Sequence, residues 1–109
     1  MAYDERLAAR VRDQLALESD VVERKMFGGL AFMVRGNMCC GVVGDELMVR
    51  VGAGAHDRLV AEPHARPMDF TGRPMKGMLY VGAPGLDGDA DLGRWVERGV
   101  AHARSLPPK

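Results

Sequence analysis

The chain has 109 residues, enough for one domain and too few for two separate cores. Basic and acidic residues number 15 each, whereas a dedicated nucleic-acid binder carries a basic excess, because phosphate contacts supply most of its affinity. With 47% hydrophobic residues, a core without disulfide or metal staples is expected.

Between residues 4 and 18, Leu7, Val11 and Leu15 recur every four positions, with Ala8 beside them and Arg6, Arg10, Arg12 and Asp13 off the stripe. This period predicts an amphipathic helix with Asp4 as its N-cap. Four strands are expected next, at 21–27, 30–35, 38–43 and 46–51. Gly28-Gly29 suggests a turn or bulge between the first two. Gly36-Asn37 and Gly44-Asp45 read as two-residue hairpin turns. In the fourth strand Leu47, Val49 and Val51 alternate with Glu46, Met48 and Arg50, the pattern of a half-buried antiparallel strand. Connections this short force antiparallel pairing.

Residues 55–62 predict a short helix with Leu59 and Val60 inward, stopped by Pro63. Two further strands are expected at 66–71 and 76–81, separated by Gly72-Arg73-Pro74. A last helix over 89–105 carries a buried stripe of Leu92, Trp95, Val96, Val100 and Ala103. The expected fold is α+β: an antiparallel sheet of about six strands in the order α-β-β-β-β-α-β-β-α, helices packed on one face. Residues 1–109 form a single domain, and the other sheet face must be wet or covered by a partner.

Cys39 and Cys40 are adjacent. A disulfide between neighbours is strained and closes almost no chain, so a reducing, cytoplasmic setting is expected. On a strand the two point to opposite faces, one into the core and the other exposed. The charged N-terminus lacks the apolar run of a signal peptide, and no stretch reaches the length of a membrane span.

The run Arg24-Lys25-Met26-Phe27-Gly28-Gly29-Leu30-Ala31-Phe32 resembles the opening of the N-terminal domain of the TfoX/Sxy family. There a basic pair, Met-Phe-Gly-Gly and an apolar strand follow the first helix. Gly36-Asn37-Met38, the strand 45–51, Phe70, Met78-Leu79-Tyr80-Val81 and the final helix with Trp95 continue the resemblance over nearly the whole chain. It implies a stand-alone copy of that domain, without the C-terminal helical domain of the longer members, which regulate natural competence in bacteria. It implies a fold and a regulatory role, and it carries over no catalytic residue.

Candidate sites are few. Arg24, Lys25, Met26, Phe27, Gly28 and Gly29 could form a small binding edge, two charges beside glycine amides that approach a ligand closely. Arg73 and Lys76 would join them if the sheet brings them together, with Arg66 extending a basic rim. The plain alternative is a strand, a glycine turn and solvated charges that deter edge aggregation. The segment lacks the Gly-Lys-Ser/Thr pattern of a phosphate loop. His56, His64 and His102 are scattered, so no metal site or cofactor is expected. His56 and Asp57 are neighbours on a helix and point apart, which argues against a catalytic pair. Eight methionines, seven in or beside strands, cannot all face one core. Some are expected on the second sheet face, where self-association or a partner would cover them. The reading is a non-enzymatic interaction module, with a protein partner or a homodimer. A small enzyme or ligand-binding protein using 24–29 with Arg73 and Lys76 is the second reading.

Overall fold

The computed structural model describes residues 3–26, 28–70 and 73–108, the side chains at 69, 70 and 73–75 excepted. Helix α1 (Glu5–Gln14) starts at Asp4, whose Oδ1 accepts from the N–H groups of Arg6 and Leu7 at 2.8 and 3.3 Å. The cap is where the sequence puts it. The helix ends four residues earlier than expected, because beyond Leu15 the apolar stripe has nothing to bury against: Leu17 is 99% exposed.

Strands β1 (Val21–Met26), β2 (Gly29–Val34), β3 (Asn37–Val43) and β4 (Glu46–Arg50) follow as a meander. After α2 (Ala53–Val60) come β5 (Ala65–Phe70) and β6 (Arg73–Val81), then a 3-10 turn at Ala83–Leu86 and α3 (Asp89–Ser105). The sheet is antiparallel with strand order β1-β2-β3-β4-β6-β5. The α+β class and the order of elements are those the sequence predicts. Part of the turn expected at Gly72-Arg73-Pro74 lies outside the described residues, and β6 begins three residues ahead of expectation.

One hairpin turn moves by a residue. Val34 faces Asn37, so the loop is Arg35-Gly36, both with positive φ (55° and 82°), as a type I′ turn requires. Asn37 sits buried in β3, and its Nδ2 donates to the carbonyl of Pro107 at 2.9 Å.

The helices cover one face. Leu30, Phe32, Val34, Val42, Leu47, Val49, Leu79 and Val81 meet Leu7, Val11, Leu59, Leu92, Trp95 and Val96 there. Burying a side chain such as Leu92 contributes about 1.5–3 kcal/mol. The second face is a cluster of Ala31, Met38, Met48, Met68 and Met78, with Met26, Met33, Val43 and Tyr80 at its margin. Six methionines therefore lie on this face. Its centre is not wet, for Met48 and Met68 have no exposed surface. Unbranched thioethers pack onto one another in this way and fill an irregular space.

Both cysteines are fully buried in the helix-side core, which overturns the expectation of one inside and one exposed. The reason is a bulge. Phe32 pairs with Cys40 and Met33 with Met38, so Cys39 is an extra residue and the alternation slips. Hydrogen bonding with Cys39, burial and the neighbouring charge raise the Cys40 thiol well above its ordinary pKa. Above the bulge, α3 crosses β3 at Gly99, where a Cβ would stand 2.4 Å from the Cys39 carbonyl oxygen.

Gly99→Ala therefore destabilises the domain by about 1–3 kcal/mol through overpacking, measured by urea denaturation. At an open helix site the same change would stabilise by about 0.5–1 kcal/mol. Neither thiol reacts with Ellman's reagent in the native protein, and both react once denaturant is added, since only an exposed thiolate attacks.

Candidate functional site

The segment 24–29 is split by the sheet. Arg24 pairs with Ala31 and shares the methionine face, whereas Lys25 pairs with Leu30 and shares the helix face. The two charges thus point apart. Met26 is half-buried at the rim of the methionine cluster, and Phe27 lies outside the described residues. Gly28 has φ of 74° with open space around it, so it serves the turn. Gly29 packs so closely that a Cβ would stand 2.1 Å from the Val42 carbonyl oxygen.

Lys76 is exposed near the far end of the sheet. β1 is one edge, and three strands separate it from β6. The ends also differ: the β1–β2 turn lies beside Val43 and Glu46, and Lys76 lies where β4 runs out at Arg50. The structure does not bring residues 24–29 to Lys76. For Arg73 only the backbone is described, at the start of β6. Arg66 is engaged elsewhere: it pairs with Glu46 and lies over the Tyr80 ring at 4.7 Å.

Lys76 lines a cavity of about 260 Å3 with Arg50 at the end of β4, Gly52 and Ala53 at the start of α2, and His102 on α3. A sharp bend at Gly77 builds it. Two steps along β5, from Pro67 to Asp69, match five along β6, from Leu79 to Pro74, and Gly77 takes φ of 93°. Its carbonyl accepts from the N–H groups of Val51 and Gly52 at 2.8 and 3.2 Å, and its own N–H donates to His56 Nδ1 at 2.9 Å. His56 is therefore a brace for β6, and Asp57 beside it is exposed. A Cβ on Gly77 would come within 3.0 Å of the Gly52 and Ala53 backbone, so this crossing needs glycine.

The His102 ring lies against Gly52, where a Cβ would meet its Cε1 and Nδ1 at 2.6 Å. Burial lowers the His102 pKa, and the positive charge of Arg50 lowers it further. Among the described residues neither Arg50 nor Lys76 has a carboxylate partner, and no acid lines the cavity. Two other cavities, of about 190 and 220 Å3, are lined by acids as well: Asp4, Asp45 and Asp87 in one, Glu18 and Glu97 in the other. Among the described residues no three His, Cys, Asp or Glu side chains converge as metal ligands.

The family model of the TfoX N-terminal domain matches residues 13–103, from the last turn of α1 almost to the end of α3. The chain belongs to the TfoX N-terminal domain family. No curated protein and no solved structure matches it significantly. Among the described residues of this TfoX N-terminal domain, no helix is long and apolar enough to cross a membrane.

Of the basic cavity, sequence reasoning singled out only Lys76. Arg50 read as the polar side of an alternating strand, and His102 as one of three scattered histidines. A usable signal was Gly77, isolated inside a strand pattern, which marks a bulge or a close backbone approach.

The lowered pKa of His102 has a consequence for stability. The unfolded chain takes up the proton near the ordinary value of 6.5, while the fold resists it. The stabilisation is thus complete above about 6.5 and is lost as pH falls through the lower folded value. His102→Gln should flatten the drop in melting temperature between pH 7 and 5, read by thermal denaturation with Arg50 and Lys76, the cations that line the same cavity, left in place.

Proposed function

We propose that this domain is a non-enzymatic regulatory module of the bacterial cytoplasm, competence-regulator-like as its family suggests, that docks a protein partner along β1. The observation that carries the reading is the free edge. β1 has a neighbour on one side only, and its backbone presents donors and acceptors to which an extended segment can add as another strand.

The edge also has a chemical character. Val22 is 58% exposed, and Leu17 stands fully out of the fold just before the strand. Arg24 and Lys25 are exposed, with no carboxylate partner among the described residues. The one acid of the strand, Glu23, is taken by Arg12 at 2.6 Å, which holds its carboxyl below the usual range. An extended segment with two adjacent acids flanked by apolar residues complements such an edge, one acid meeting Arg24 on one face and the next meeting Lys25 on the other. Two buried free thiols support a reducing compartment.

The test uses a synthetic peptide with two adjacent glutamates flanked by valines, titrated into 15N-labelled protein. Saturable shifts confined to the amides of β1 are expected, and R24E/K25E should weaken binding at least tenfold with an unchanged circular dichroism spectrum. Shifts spread elsewhere, or none, would overturn the docking edge. A dimer in sedimentation velocity that Val22→Lys dissociates would replace the peptide partner with a second copy of the chain.

A further inference from the structure

We propose that the cavity between the end of β4, the bend of β6 and the last turns of α3 is a binding site for a small phosphate-bearing molecule, held by Arg50, Lys76 and His102. The three side chains come from three separate elements and converge on one space of about 260 Å3. That space is large enough for a phosphate group with a small organic substituent.

Among the described residues, six acids are drawn into ion pairs with arginines, whereas Arg50 and Lys76 have no such pair and line one hollow with no acid in its wall. Burial holds the His102 pKa down, and the charge of Arg50 adds like-charge repulsion. A bound dianion removes it and makes each of the three groups a donor of a charge-assisted hydrogen bond.

The backbone contributes as well. Gly52 gives α2 no side-chain cap; its own N–H is taken by the Gly77 carbonyl and that of Ala55 by the Gly52 carbonyl, which leaves the amide of Ala53 at the cavity wall. Gly52 and Gly77 bring two stretches of main chain together here, and a side chain at either would close the gap. Met78 supplies an apolar wall, which suits a phosphomonoester better than the bare ion. The site is at the opposite end of the sheet from the β1 turn and does not depend on the docking edge.

The proposal is tested by NMR titration with inorganic phosphate, phenyl phosphate, succinate and chloride at constant ionic strength. Saturable shifts of Gly52, Ala53 and Gly77 and of the His102 ring are expected with the two phosphates, tighter for phenyl phosphate. The His102 pKa should rise on binding, and affinity should increase as pH falls towards it. R50Q and K76Q should each weaken binding about tenfold, the loss of one hydrogen bond to a charged group, while R24E/K25E leaves it unchanged. The site is refuted if the shifts do not saturate or if R50Q/K76Q binds as the wild type does. Equal response to succinate would refute the phosphate assignment. Tighter binding of a short single-stranded oligonucleotide, with a steep salt dependence, would refute the small-molecule class.

Discussion

The close pass of α3 over the bulge in β3 is the contact on which the rest of the domain depends. β3 is the strand that α3 touches most, and Gly99 faces the Cys39 carbonyl with no room for a methyl group. The bulge turns Cys39 and Cys40 together into the core, and that rotation brings the Cys39 carbonyl up to the helix. Leu92, Trp95, Val96 and Ala103 then fall onto the sheet at helical spacing. Arg98 covers the Trp95 ring from outside at 4.6 Å and pairs with Glu62 after α2. Helix, bulge and flanking loop are thus fixed by one approach distance. Such a contact tolerates little change in volume, because protein interiors are packed at crystal density.

The same approach explains why some of this fold is legible in the sequence and some is not. Local periodicity is visible: Leu47, Val49 and Val51 against Met48 announce a two-faced strand, Leu7, Val11 and Leu15 a helix, and Gly44-Asp45 a turn. Each of these rests on forces that act within a few residues. Cys39 and Gly99 are 60 positions apart in the numbering, and nothing local to either predicts that they meet. A bulge has no signature when the inserted residue is itself apolar, so strict alternation leaves one of Cys39 and Cys40 outside the core. The turn at Arg35-Gly36 was displaced for a similar reason, since Asn37 is drawn into the sheet by a carbonyl at the far end of the chain. The methionine face was half legible. Alternation placed thioethers on it, and only the three-dimensional packing shows that they bury one another.

The candidate site was less legible still. Charge alone groups Lys76 with Arg24 and Lys25, but sheet order puts β1 and β6 apart. Its neighbours come from the crossing at Gly77, where three hydrogen bonds and a positive φ bend β6 against Gly52. That crossing is a tertiary event. Its trace in the sequence is two glycines 25 positions apart, one in a loop and one inside a strand, and their proximity is invisible until the strands are paired.

Net charge was read as an argument about partners, and the structure refines it. The balance of 15 against 15 is a sum over the chain, whereas recognition depends on local potential. Glu18, Glu23, Glu46, Glu62, Asp89 and Asp91 are each held by an arginine, so much of the acidic half of the balance is already neutralised in place. Exposed pairs of this kind add little to stability, about 0–1 kcal/mol each. Each pair takes up an arginine as well, so the rest depends on placement: Arg24 and Lys25 on the β1 edge, and Arg50 and Lys76 around the cavity, have no carboxylate partner among the described residues. A neutral chain can therefore offer two positive surfaces at opposite ends of one sheet. They are separate enough in the fold for one to be altered by substitution without disturbing the other.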